Sequence, residues 1–178
     1  SLFPENDNGR IPIVGIAGTH GAALIARLVA WLIHLSGKHV GLACRDGLFL
    51  DRRQVEKSDC ANWAAGQRLL INRSLEAAVF ENSAEVILGQ GIAYDRCQVG
   101  IVTDTLGAEA LGHYDIHDAE QVFHVLRTQV DIVLSDGAAV LNAADPHVVR
   151  MADLCDGEVI FYGPGPELTA IVEHRARG

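Results

Sequence analysis

A chain of 178 residues can bury one sizeable core, and an apolar fraction of 49% with 18 Gly and only 5 Pro excludes a disordered or low-complexity polypeptide. Lys and Arg number 14 against 23 Asp and Glu, so the net charge is −9. That balance excludes a basic phosphate-tracking face for nucleic acid and a surface drawn to anionic membranes.

Residues 11–17 (IPIVGIA) read as a buried strand that runs into a glycine-containing turn. Residues 22–36 then form a helix without Gly or Pro, closed by Gly37. Residues 39–44 are a second strand, and residues 47–55 (GLFLDRRQV) a hairpin or edge ribbon with charges at its centre. Residues 62–70 are helical, 76–81 (EAAVFE) a strand ending on a carboxylate, 84–88 a short helix and 98–103 a strand. Residues 118–128 form a helix opened by Asp118, which suits the positive end of the helix dipole. Short strands are expected at 132–134, 138–141 and 158–162, with a helix started by Pro146 over 146–155 and a last helical stretch within 164–178. Continuous apolar strands imply burial on both faces, and the interleaved helices supply crossovers. The expected fold is α/β, a mostly parallel sheet with helices on both faces, with its ligand crevice beyond the C-terminal strand ends.

The stretch 11–23, IPIVGIAGTHGAA, has the strand–glycine turn–helix order of a phosphate-binding loop, in which backbone N–H groups and the helix dipole face an anion. Gly18 and Gly21 supply the backbone freedom. A complete loop ends in Gly-Lys-Ser/Thr, whereas Gly21 is followed here by Ala22 and Ala23. Loss of the ammonium and of the metal-binding hydroxyl removes roughly 3 kcal/mol of phosphate affinity. Leu24 and Ile25, just beyond the loop, are expected to crowd the metal-phosphate position.

Several stretches together resemble the central domain of cyanophycin synthetase, the ATP-binding middle domain of the Mur ligase superfamily: Leu2-Phe3-Pro4, GRIPIVGIAGTHG from Gly9, Asp95-Arg96-Cys97 followed by VGIVTD, and VLNAADP over 140–146. Shorter anchors fall in the same order: Asp46-Gly47, VEK at 55–57, EAAV at 76–79 and HRA at 174–176. The resemblance covers essentially the whole chain as a single domain, 1–178, of a longer polypeptide with an ATP-grasp region before it and a Mur-type domain after it. It implies an ATP-dependent amide ligase that activates a carboxylate as an acyl phosphate. It also implies a nucleotide site at Gly18, Thr19, Gly21, Asn142 and Asp145, with Mg²⁺ at Glu81. The family's loop reads G-T-N-G-K-T against Gly18-Thr19-His20-Gly21-Ala22-Ala23 here. Its Arg-Gly-Gly falls on Ala84-Glu85-Val86, its Asn and Asp-His on Asp104 and Glu109-Ala110, and its Lys on Leu126.

Fold-shaping positions match and chemistry-bearing ones mostly do not, Glu81 excepted, so a degenerate ligase domain with a structural or scaffolding role is expected. It would bind no cofactor of its own, where the family binds ATP and Mg²⁺. The alternatives are a working ligase that still binds Mg-ATP and a module for a small anion. Restoring Lys and Thr at Ala22 and Ala23 is expected to strengthen nucleotide binding at least tenfold.

The expected partners are flanking domains of the same polypeptide and a homo-oligomer, not nucleic acid or membrane. No signal-peptide pattern opens the sequence, and the most apolar run, 22–35, is interrupted by Arg27 and His34, so a cytoplasmic location is expected. Cys44, Cys60, Cys97 and Cys155 form no C-x-x-C pair and are expected as free, mostly buried thiols. His113, His117 and His124 read as exposed residues rather than a metal site. Asp104, Glu109 and Glu81 read as solvated carboxylates around a vacant cleft, with a cation site as the alternative. Trp31 and Trp63 read as core or interdomain contacts.

Overall fold

Alternation of apolar strand and helix is realised in a computed structural model that describes residues 10–177. Leu2-Phe3-Pro4 and Gly9 lie outside the described residues. The strands are β1 (Ile13–Ala17), β2 (Val40–Cys44), β3 (Gly47–Leu50), β4 (Arg53–Glu56), β5 (Ala77–Asn82), β6 (Cys97–Val102), β7 (Val133–Asn142) and β8 (Glu158–Tyr162). The α-helices are α1 (Ala22–Leu35), α2 (Trp63–Leu70), α3 (Ala84–Gly89), α4 (Ala119–Leu126), α5 (Thr128–Asp131), α6 (Pro146–Arg150) and α7 (Thr169–Ala176).

All eight strands join one sheet in the order β4-β3-β2-β5-β1-β6-β7-β8. β1 is central and pairs parallel with β5 and β6. β2/β5, β6/β7 and β7/β8 are also parallel, and only the β2–β3–β4 ribbon is antiparallel. The mostly parallel α/β sheet expected from the sequence is therefore present, as is the edge ribbon. Every residue of β2 and β5 is buried, which is why these strands read as continuous apolar runs.

Two expectations need correction. Residues 132–134 and 138–141 are not separate strands: β7 is one strand of ten residues, with a register shift against β6 between its two halves. The irregularity places polar Ser135 and Asp136 mid-strand, and that break in the apolar run mimics a gap between two strands. The helix expected over 146–155 is α6 followed by a 3₁₀ turn, Met151–Leu154.

α1 covers one face through Ala22, Ala26 and Ala30, packed with Ile16, Val40, Leu42 and Val79. Small residues on the inner stripe let the helix approach the sheet closely. On the other face α4 and α5 bury Val122, Phe123, Leu126 and Val130 against Ala17, Val102, Ala139 and Leu141. Beside that cluster lies a buried polar network. Asn82 Nδ2 donates to the Tyr94 hydroxyl and to Gln129 Oε1, both at 2.8 Å, and the Tyr94 hydroxyl donates to Gln129 Oε1 at 2.9 Å. A Cβ at Gly15 would land on the Tyr94 hydroxyl and the Gln129 amide. Gly15→Ala is therefore expected to destabilise the domain by about 3 kcal/mol in urea unfolding, since relieving the overlap breaks buried hydrogen bonds.

The four cysteines are free; Cys44, Cys60 and Cys97 are buried and Cys155 is partly so. Burial pushes the Cys97 thiol up to about 12 and the Cys44 thiol up to about 11, so neither is a thiolate near neutrality. Trp31 and Trp63 are exposed by 42% and 46%, which rules out the core reading for both.

Candidate functional site

The C-terminal ends of β1, β2, β5, β6 and β7 bring five loops to one edge of the sheet, where β1 lies between β5 and β6. In an open parallel sheet this is where ligands bind. The loop after β1 has the backbone of an anion cradle. Gly18 has φ +133° and Gly21 φ +76°, both in the left-handed region. A Cβ on Gly18 would strike the Thr103 hydroxyl, whereas one on Gly21 would meet nothing within 4 Å. Gly21 caps α1 with no side-chain cap bond.

The loop amides already hold an anion. Asp104, from the loop after β6, accepts from Thr19 N at 3.2 Å (Oδ1) and from His20 N at 2.8 Å (Oδ2). It also accepts from the Thr103 hydroxyl at 2.8 Å and from Leu106 N at 3.1 Å. The residue is only 6% exposed. Its carboxylate therefore holds two of the loop's backbone amides, those of Thr19 and His20. His20 Nδ1 stands 3.8 Å from Asp104 Oδ1, on an exposed ring. The Thr19 hydroxyl donates to Leu106 O at 2.7 Å, and a Cβ at Gly107 would crowd that hydroxyl. The two loops are thus stitched together across the crevice.

Glu81, at the end of β5, is 2% exposed and is equally committed. Oε2 accepts from Arg45 N at 2.8 Å and Oε1 from Arg45 Nε at 2.7 Å. A guanidinium occupies the carboxylate on which the resemblance placed Mg²⁺. Glu109 is exposed in a 3₁₀ turn. The carboxylates are therefore not a solvated cluster: Glu81 and Asp104 are buried and individually paired. Among the described residues no group of three or more His, Cys, Asp or Glu is gathered as a metal site. His113, His117 and His124 each face a carboxylate (Glu85, Asp115 and Glu120) on exposed side chains.

Asn142 and Asp145, at the end of β7, build backbone structure. Asn142 Nδ2 donates to Thr103 O at 2.8 Å, and its Oδ1 accepts from Ala144 N at 3.0 Å. Asp145 Oδ2 accepts from Thr105 N at 2.7 Å and from the Thr105 hydroxyl at 2.9 Å. Its Oδ1 caps α6 through His147 N at 2.9 Å. A depression of ≈ 370 Å³ lies between these loops, lined by Asp104, Thr105, Asn142, Asp145 and His147 among others. Burial, and then the Asp104 charge, push the Tyr162 phenol above its ordinary value.

Leu126 and Ala84, where the resemblance puts a Lys and an Arg, share one apolar cluster with Val102 and Leu111. Leu126 is 1% exposed, so apolar packing fills that position. Leu24 does not crowd the loop, because it faces solvent; Ile25 packs between α1 and the sheet. Sequence reasoning missed Arg45 altogether. Its one signal is its place directly after a fully buried strand, level with a buried Glu.

Fold and loop together define a Mur-ligase-type α/β domain. A solved UDP-N-acetylmuramoyl-L-alanyl-D-glutamate–2,6-diaminopimelate ligase superposes with a TM-score of 0.71 at 19% identity, over 86% of this chain and 32% of that one. A Mycobacterium tuberculosis folylpolyglutamate synthase, complexed with ADP and AMPPCP, does so with a TM-score of 0.55 at 16% identity, over 85% and 43%. No protein-family model matches the chain. The cyanophycin synthetase of Crocosphaera subtropica is 38% identical over 176 residues, 99% of this chain and 20% of that protein. That of Synechocystis is 35% identical over the same shares. The chain is a cyanophycin-synthetase-like domain of the Mur ligase fold, as its sequence anchors implied. It spans about a fifth of the length of these curated relatives, 20% in each case.

Proposed function

We propose that this chain is the nucleotide-site domain of an ATP-dependent amide ligase of the cyanophycin synthetase type, closed from within and kept as a structural domain. The observation that carries the reading is Asp104 on the amides of Thr19 and His20. ATP and Mg²⁺ do not fit the residues present. A phosphate on the Thr19 and His20 amides would have to displace a buried carboxylate, and a triphosphate anywhere along the loop would meet like charge there. A metal ion at Glu81 would have to displace the Arg45 guanidinium, and one carboxylate does not hold Mg²⁺ without phosphate oxygens to share it. No catalytic step is therefore assigned to this domain. Gly18, Thr19, Gly21, Asn142, Asp145 and Glu81 keep the geometry of the ancestral site and serve the fold. Neighbouring domains of a longer polypeptide carry any remaining chemistry and are partners of this one.

Calorimetric titration of the chain with Mg-ATP tests this. The expected result is no saturable heat up to about 1 mM, an affinity weaker than about −4 kcal/mol. Micromolar, magnesium-dependent binding would instead restore the working-ligase reading. Saturable binding of inorganic phosphate without preference for nucleotide would favour the small-anion module.

A further inference from the structure

α1 is apolar on both sides. Of its 14 residues only Arg27 and His34 bear ionisable groups. The inner stripe is buried, yet Leu24, Leu28, Trp31, Leu32 and Leu35 are exposed by between 42% and 71%. A helix apolar all round belongs inside a larger assembly. The spacing of Leu24, Leu28, Trp31 and Leu35 is four, three, four, the seam of a two-helix coiled coil. The stripe is also symmetric about its own centre. Paired antiparallel with a copy of itself, Leu24 meets Leu35 and Leu28 meets Trp31. Both layers share one midpoint, between Val29 and Ala30. That is the self-complementarity an isologous two-fold contact requires.

Area and charge agree. The five side chains expose on the order of 550 Å². A standard interface buries about 800 Å² per partner, of which about 65% is apolar in homodimers, so roughly 520 Å². The one cation on α1 is neutralised within the chain, since Arg27 pairs with Asp46 at 3.1 Å, and His34 Nδ1 lies 3.5 Å from Asp51. The Arg52 guanidinium lies 5.3 Å from the centroid of the Trp31 ring. α1 carries no acidic residue to oppose the approach of a second copy of a chain whose net charge is −9.

We infer that the outer face of α1 is a homodimer interface in which two α1 helices pack antiparallel through Leu24, Leu28, Trp31 and Leu35. The test is sedimentation equilibrium of the 178-residue chain across about 1–200 µM. A reversible dimer is expected. Leu28→Glu should weaken it at least a hundredfold, and Leu28→Ala about tenfold, while circular dichroism melting stays within a few degrees of the parent. Pairing direction is read from cysteine variants: Leu24→Cys mixed with Leu35→Cys should form a disulfide-linked pair, and Leu24→Cys alone should not. A monomer throughout the range would overturn the inference and assign the stripe to another domain. So would a dimer that Leu28→Glu and Leu28→Ala leave intact, or Leu24→Cys linking to itself. Each outcome is independent of nucleotide binding, so failure here is separable from failure of the proposed function.

Discussion

Asp104→Ala is expected to lower the stability of the domain by about 3 kcal/mol, the scale of losing several charge-assisted hydrogen bonds at a buried carboxylate. For a chain of this length that is a fall of roughly 6–12 °C in Tm. The substitution removes an acceptor from the Thr103 hydroxyl, which keeps only a longer bond to Ala17 O, and from Leu106 N, and it frees Thr19 N and His20 N. Those two freed amides sit at the positive end of α1, so the variant is expected to bind small anions more tightly than the parent. Differential scanning in buffers with and without about 10 mM pyrophosphate reads both effects at once. Pyrophosphate should raise the Tm of the variant by several degrees and leave the parent unmoved. A variant as stable as the parent would mean that the Asp104 bonds contribute nothing to folding.

Arg45→Ala carries the second large effect. It leaves the Glu81 carboxylate buried at the end of β5 with neither guanidinium nor metal beside it. Breaking a buried pair from one side costs about 3–5 kcal/mol. The Arg45 side chain is itself half exposed, so water offsets part of this, and about 2–3 kcal/mol is expected by urea unfolding. Glu81→Gln should cost less, since the amide oxygen still accepts from Arg45 N. Adding Mg²⁺ should not rescue Arg45→Ala, because no second ligand stands by. A loss below about 0.5 kcal/mol would show the pair to be incidental.

The fold was legible because burial on both faces of a parallel sheet leaves runs such as 77–80 free of polar residues, and because Gly37, Asp118 and Pro146 mark helix ends by local chemistry. β7 was split in the reading because its irregular middle carries Ser135-Asp136-Gly137, a turn signal that the sheet overrides. The candidate site was legible as a list of missing groups, since Ala22, Ala23 and Ala110 can be counted against a motif. What replaced those groups was not. Asp104 reaches Thr19 across 85 residues and Arg45 reaches Glu81 across 36, and no local pattern encodes such pairings. Asp104 therefore reads as a solvated residue of a vacant cleft, although it is buried on the amides of Thr19 and His20. The same gap qualifies the repair read from the motif. Ala22→Lys with Ala23→Thr leaves Asp104 on the loop amides, and Ala22 is packed against the sheet, so removal of Asp104 comes first.

Amide-resolved NMR of Thr19 and His20 during a pyrophosphate titration measures the occupancy of the loop directly. With Asp104 in place, both resonances should stay fixed through millimolar pyrophosphate. In Asp104→Ala both should move and saturate. Saturable movement of the two amides in the parent at submillimolar pyrophosphate would contradict the account, since the loop would then be an open phosphate site.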